Sequence, residues 1–145
     1  MDDKLRDVIY YLISKLGVVE SRTKLIKLIY LADVEAKKKL GKTITGLTYV
    51  YHFYGPYTHE IVEKVLEMDG EEIREVYNPF LDRYEYYALG GEVDDNVNVG
   101  LDQNEIEVLD EVIEKYGKMS TSEIKEEAYN TEPMRKANPG DKIII

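Results

Sequence analysis

The stretch LIKLIYLA, residues 25–32, decides the fold of this chain. Apolar side chains cover most of the circumference of a helix with this sequence, and such a helix is normally buried. Ser21 or Thr23 can cap its N-terminus, and Gly41 is suited to end it after about Leu40. We therefore predict that this helix forms the centre of the core. Its most buried residues should be Leu25, Leu28, Ile29 and Ala32.

Outward from this helix, the chain alternates between helical and extended patterns. An amphipathic pattern over residues 5–16 predicts a first helix that ends at Gly17. Apolar and aromatic residues alternate over residues 47–53, which predicts a strand that Gly55-Pro56 interrupts. Thr58 is placed to cap a short helix after this break.

The second half of the chain begins with a hairpin signal. Residues 72–77 and 83–89 are rich in β-formers and flank Asn78-Pro79, whereas residues 90–100 are typical of a loop. Two capping boxes then predict two helices, and an edge strand is expected near the C-terminus. The capping pairs are Asp102 with Glu105 and Ser120 with Glu123, and the edge strand would span residues 143–145.

These patterns predict a helix-dominated α+β fold in the order α-α-β-α-β-β-α-α, with about five helices and a small antiparallel sheet or hairpin. A length of 145 residues favours one domain over residues 1–145, with residues 131–145 as a C-terminal tail. No apolar run approaches the roughly 20 residues of a membrane span, so we expect a cytoplasmic protein that does not enter membranes.

The absence of cysteine excludes disulfides, thiolate metal sites and cysteine nucleophiles. His52 and His59 lack the spacing of a helical metal-binding pair. Asp33 is best explained as a structural acid that either accepts hydrogen bonds from a neighbouring loop or simply faces water. No nucleophile–base pair is recognisable, so we expect no catalytic residues, no bound metal and no cofactor.

The net charge of −10 disfavours nucleic acid as a partner. A winged-helix-like, nucleic-acid-binding regulator is nevertheless the alternative function, because bases exceed acids in residues 1–50. A basic stripe on one face could include Arg22, Lys24 and Lys27 with the lysines of segment 37–42. Residues 101–130, however, hold 9 acidic and 3 basic side chains, which would repel phosphate from a recognition helix there.

TKLIKLIYLAD at residues 23–33 is followed by Gly41-Lys42, by Ile44-Thr45-Gly46, and by an aromatic stretch from Tyr49 to Gly55-Pro56. This ordered set of segments resembles the Panacea domain, the SocA-like antitoxin family. The resemblance covers about residues 5–140. Tyr129 and Pro133-Met134 stand where many relatives have a His and a Pro-Trp. The resemblance implies a module that binds a partner protein, as an antitoxin that neutralises a toxin or as an adaptor that delivers the toxin to a protease.

Tyrosine is unusually frequent, with 13 residues against two phenylalanines and no tryptophan. Tyrosine suits protein interfaces because it offers a large rigid surface with a polar tip, although it can also replace other aromatics in a core. If Tyr49, Tyr51 and Phe53 face the central helix, the rings beyond the strand remain accessible. We therefore predict a partner-binding face that combines the predicted hairpin of residues 72–89 with a short segment of residues 49–57. The residues of that segment are His52, Tyr54, Gly55, Pro56 and Tyr57.

Overall fold

The computed structural model of the chain describes residues 3–89 and 100–145. These residues form six helices: α1 (Lys4–Leu16), α2 (Arg22–Leu40), α3 (His59–Met68), α4 (Gln103–Tyr116), α5 (Thr121–Tyr129) and α6 (Glu132–Lys136). They also form six strands: β1 (Val18–Val19), β2 (Tyr49–His52), β3 (Gly55–Tyr57), β4 (Ile73–Asn78), β5 (Arg83–Ala88) and β6 (Lys142–Ile143). The loop predicted at residues 90–100 lies outside the described residues, except for Gly100.

Helix α2 lies at the centre of the core, as its sequence predicts. Its side chains at Leu25, Leu28, Ile29 and Ala32 are buried. The helix packs against α1, α4 and α5 and against strands of both sheets, so most of its circumference is covered. Both ends follow the predicted signals: the Ser21 hydroxyl accepts a hydrogen bond from the backbone N–H of Lys24, and Gly41 adopts the left-handed conformation.

Local capping also sets the starts of α4 and α5. Complete capping boxes open α4 at Asp102 and α5 at Ser120, as predicted. Helix α3 begins after Thr58 as predicted, but the Thr58 side chain makes no capping hydrogen bond and is instead buried.

The strands form two antiparallel sheets of three strands each. The first has the order β1-β5-β4 and contains the predicted hairpin, with the Val18–Val19 pair added at one edge. The second has the order β3-β2-β6, in which the C-terminal strand pairs with β2. The short pairing of β1 with β5 joins residues far apart in sequence, which explains why a local pattern does not predict it.

The prediction that Gly55-Pro56 interrupts the extended structure is wrong. These residues begin β3, which pairs with β2 in a tight hairpin where His52 faces Gly55 and Phe53-Tyr54 form the turn. Gly55 allows this geometry because its φ is +99°, a conformation that favours glycine. Pro56 is tolerated because β3 is an edge strand, where a missing N–H costs no ladder hydrogen bond.

The fold is a single α+β domain, and the predicted class is confirmed. The observed order adds β1, β3 and α6 to the predicted elements, and the expected C-terminal edge strand is β6, which begins one residue earlier and ends at Ile143. Within the described part of the chain, no helix is both long and apolar enough to cross a membrane.

Candidate protein-binding site

The β2–β3 hairpin combines a buried base with an exposed tip. Tyr49 is fully buried, and its ring meets that of Tyr30 edge-on at 5.2 Å between centroids. At the tip, Phe53 is 85% exposed and Tyr54 is 60% exposed. Large aromatic side chains held in water by a short turn are typical of contact surfaces for other proteins.

The exposure of Phe53 corrects the expectation that it shares a face with Tyr49 and Tyr51. Side chains alternate between two faces only while the backbone remains a strand. Strand β2 ends at His52, and Phe53 already belongs to the turn, so its side chain points into solvent.

The five residues predicted for partner binding all lie in or beside this hairpin. His52 and Tyr54 are exposed, Tyr57 is half-buried, and Gly55 and Pro56 are buried. The His52 and Tyr57 rings lie 5.1 Å apart, and the Tyr57 hydroxyl is hydrogen-bonded to Nδ1 of His59 at 3.1 Å. The structure therefore brings the predicted rings together, while Gly55 and Pro56 shape the backbone that carries them.

Two side chains that the sequence patterns do not single out as site residues hold the hairpin from beneath. The buried Lys27 ammonium donates a hydrogen bond to the Pro56 carbonyl at 2.8 Å. The Tyr129 hydroxyl donates to the Phe53 carbonyl at 3.1 Å, and its ring lies against Gly55 and Tyr51. The signal available in the sequence for Lys27 is its position as a charged residue within an apolar helix.

Burial of Lys27 and the nearby charge of Lys125 lower the pKa of the Lys27 ammonium to about 8. The Lys125 ammonium itself lies 4.8 Å from the centre of the Tyr54 ring, a cation–π contact at the hairpin tip. The exposed aromatic tip is thus accompanied by two lysines.

A groove runs along one side of the hairpin and has a volume of about 480 Å³. Its lining consists mainly of rings, since Tyr51, His52, Phe53, Tyr129 and Pro139 contribute to it together with Gly140. An apolar side chain of a partner is the kind of group that such a lining accommodates.

The β4–β5 hairpin has a second exposed apolar tip. Phe80 is 95% exposed and Leu81 is also exposed. The Asn78 side-chain oxygen accepts hydrogen bonds from the backbone N–H groups of both residues, which forms the turn that projects them. At the base of the tip, the Tyr77 and Tyr84 rings lie 5.3 Å apart, so this tip too is supported by aromatic packing.

Asp33 plays the structural role that the sequence favours. Its carboxylate accepts hydrogen bonds from the backbone N–H groups of Ile44 and Thr45, and from the hydroxyls of Thr45 and Tyr49. Burial raises the pKa of Asp33 and outweighs the lowering effect of these four donors. The acid therefore ties α2 to the segment that leads into β2.

The basic stripe considered for the alternative function does not form, because Lys24 and Lys27 are each only 1% exposed. The Lys24 ammonium donates to the Glu20 carboxylate at 2.7 Å and to the Gly117 carbonyl at 2.8 Å. Arg22 is engaged by Glu75 and by the hydroxyl of Tyr86. Neither buried lysine can reach a phosphate.

The two histidines do not converge with acidic residues on one point. The His59 ring lies beside Glu63, with 3.6 Å between Nε2 and Oε1, on the exposed side of α3. Among residues 3–89 and 100–145, no group of three or more metal-binding side chains is placed to hold a metal ion.

Comparison with known proteins gives one match. A search of curated proteins and a search of solved structures each found no match. The family model described as "Antitoxin SocA-like, Panacea domain" matches residues 25–133, which is about three quarters of the chain. The matched range includes most of α2 and both the β2–β3 and the β4–β5 hairpins. This chain therefore belongs to the SocA-like antitoxin family with a Panacea domain.

Proposed function

We propose that this chain is a non-catalytic, cytoplasmic binding module that attaches to a partner protein such as a toxin and neutralises it, directly or as an adaptor. The observation that carries the proposal is the exposed aromatic tip of the β2–β3 hairpin, Phe53-Tyr54, on a supported base. Membership of an antitoxin family supports the same reading.

The β2–β3 hairpin is suited to binding because its backbone is already ordered before a partner binds. Lys27 and Tyr129 hold its backbone from below, and Pro56 restricts the chain at the start of β3. Rigid aromatic side chains lose little conformational entropy on association, so a larger share of their contact energy contributes to affinity. We include His52, Tyr54, Gly55, Pro56 and Tyr57 in this face, as the sequence suggests.

The β4–β5 hairpin supplies a second exposed apolar tip, and we propose that it contributes to partner binding as well. Phe80 and Leu81 protrude from a turn whose geometry is set by Asn78. Isolated exposed apolar residues are common on proteins, whereas here two adjacent ones lie in the turn of a hairpin whose strands carry the paired Tyr77 and Tyr84 rings.

The alternative function, a nucleic-acid-binding regulator, has less support in the structure. Lys24 and Lys27 are buried, and α5, which would serve as a recognition helix, carries Glu123, Glu126 and Glu127. Such a helix would meet the phosphate backbone with like charge.

The proposal is tested by capture and neutralisation. The wild-type chain and Tyr54→Ala are each immobilised, exposed to an extract of the source cells, and the retained protein is identified by mass spectrometry. That protein is then expressed alone and together with each variant. We expect the wild type to retain the partner and to rescue growth, and Tyr54→Ala to lose at least tenfold in affinity, the effect of about 1.4 kcal/mol.

Leu66→Ala is the matched control, because Leu66 is a large exposed side chain on α3 that belongs to neither hairpin. This variant should bind as the wild type does. A folded Tyr54→Ala that keeps undiminished affinity would place the interface elsewhere. A retained protein that is harmless when expressed alone would contradict the antitoxin role while leaving the binding role intact.

A further inference from the structure

Helix α2 buries two lysines three residues apart, and only one of them has a counter-charge. Lys24 pairs with Glu20 and also donates to the Gly117 carbonyl. Lys27 is equally buried, yet its ammonium makes a single hydrogen bond, to the neutral Pro56 carbonyl. In the part of the chain that the structure describes, no carboxylate forms an ion pair with Lys27.

A buried ammonium without an anion is costly, because the loss of hydration is repaid only by a paired charge and several hydrogen bonds. Lys27 carries three N–H donors and uses one. The nearby charge that acts on it is that of Lys125, a second cation, which also has no ion pair within the described residues. The ammonium groups of Lys27 and Lys125 are therefore positive charges without a carboxylate partner among the described residues.

We propose that the β2–β3 hairpin binds an acidic segment of the partner protein, with a partner carboxylate at the Lys125 ammonium beside the Tyr54 ring. This inference rests on the proposed function and names the chemistry of the partner at the same face. The incoming carboxylate supplies the negative charge that the two lysines lack, and the low polarity around Lys27 strengthens the attraction.

The side chains around Lys125 indicate which kind of residue lies next to the acidic residue in the partner segment. The Lys125 side chain lies over the exposed Tyr54 ring, so a carboxylate at its ammonium is next to that ring. On another side of the hairpin, the groove lined by Tyr51, Phe53 and Tyr129 accommodates an apolar side chain. The segment that fits both features carries an acidic residue with an apolar residue close by.

The attraction is local, because the rest of α5 is acidic. Glu123 belongs to the capping box at Ser120, and the negative charge of Glu127 contributes to raising the pKa of Lys115. Glu126 is exposed. The net charge of −10 does not attract an acidic partner at long range. Recognition of such a partner therefore depends on direct contact with Lys125. Binding should weaken when salt screens that contact.

The test uses a phage library of random dodecapeptides as the probe, selected on the folded wild-type chain. We expect the bound peptides to be enriched in Asp or Glu beside an apolar residue. A synthetic peptide from that pool should lose about tenfold in affinity on Lys125→Met, which keeps the aliphatic stem over Tyr54 but removes the charge. Lys27→Met should give a loss in the same direction, and replacement of the acid by Gln should reproduce it.

Lys42→Met is the matched control, since Lys42 is an exposed lysine outside the hairpin, and it should bind the peptide as the wild type does. Selected peptides without acidic enrichment, or acidic peptides that bind Lys125→Met at full strength, would overturn the inference. If such peptides still lose affinity on Tyr54→Ala, the proposed binding face stands and only its acidic preference fails. Peptides indifferent to Tyr54→Ala would count against the face itself, and the absence of any selected peptide would count against the acidic segment.

Discussion

At the scale of single residues, Asp33 joins the central helix to the segment that follows it. One carboxylate oxygen accepts both backbone N–H groups, from Ile44 at 2.9 Å and Thr45 at 3.0 Å. The other oxygen faces two hydroxyls, those of Thr45 at 2.5 Å and Tyr49 at 2.7 Å. This division matters because a hydroxyl can donate or accept, whereas a backbone N–H can only donate.

Asp33→Ala and Asp33→Asn should therefore differ sharply in stability. Alanine leaves buried donors unsatisfied and should lower the free energy of unfolding by on the order of 3–5 kcal/mol. Asparagine keeps one oxygen for the two N–H groups and offers its NH₂ to the hydroxyls, so its loss should stay within about 1 kcal/mol. Urea unfolding of both variants measures this, and equal losses would contradict the assigned hydrogen bonds.

Lys27 gives a prediction about pH. Its pKa is about 8 in the folded chain against 10.5 ordinarily, so between these values the unfolded chain binds a proton that the folded chain does not. Stability contributed by this group therefore rises with pH, by on the order of 2 kcal/mol from pH 7.5 to 9.5. Lys27→Met lacks the group and should lack this rise.

The comparison of wild type with Lys27→Met is made at several pH values by urea unfolding, so that the other titrating groups cancel. At pH 7.5 the methionine variant should be at least as stable as the wild type, because the uncompensated charge is gone. A variant that is strongly destabilised at that pH, with a parallel pH profile, would show that Lys27 is well solvated or paired.

At the scale of elements, the β2–β3 hairpin depends on the backbone conformation of Gly55. Its φ of +99° is unfavourable for residues with a side chain. Steric clash is not the obstacle, because an added Cβ would lie at an ordinary contact distance of 3.5 Å from Lys27 Cε. Gly55→Ala should therefore destabilise the protein through backbone strain, by about 1–3 kcal/mol. Thermal unfolding measures the loss, and an unchanged melting temperature would contradict the tight turn.

The sequence predicts those helices and turns whose capping or turn residues lie within a few positions of one another. The caps at Ser21, Asp102 and Ser120 and the turn at Asn78-Pro79 act within a few residues, so the sequence indicates them directly. The sequence does not predict strand β3, because a Gly-Pro pair usually ends a strand. Pro56 fits within β3 because β3 lies at the edge of its sheet.

At the scale of the whole molecule, α2 organises the core, and Leu28 lies within it with no exposed surface. Leu28→Ala should lower the free energy of unfolding by about 2–5 kcal/mol, because it removes buried contacts and leaves a cavity. Leu66→Ala, on the exposed side of α3, should change it by only about 0.5 kcal/mol. A loss below about 1 kcal/mol at Leu28 would contradict the central position of α2.

The charge of the whole molecule also limits its partners. With a net charge of −10 and its central lysines buried, the chain should bind DNA or RNA only weakly, through lysines such as Lys37 and Lys38. Such binding should vanish at moderate salt, because it depends on released counterions. A mobility shift that depends on nucleic-acid sequence, at submicromolar protein and physiological salt, would reverse this conclusion.

The α+β class, the buried helix α2 and the resemblance to the family are all evident from the sequence alone. Each rests on a periodicity, a cap or an ordered set of motifs that lies within a short stretch of chain. The sequence also indicated the segment of residues 49–57 as the surface to examine. These features need no knowledge of which distant segments meet.

Which side chains of that segment reach solvent, and which residues lie beneath them, depends on the packing of the folded chain. Phe53 is exposed because the strand ends one residue earlier, and Tyr129 supports the hairpin from a helix 76 residues further along the chain. Lys24 and Lys27 share a motif and a helix, yet one meets a carboxylate and the other a carbonyl. Burial and charge pairing depend on contacts between distant parts of the chain, and local sequence patterns do not record those contacts.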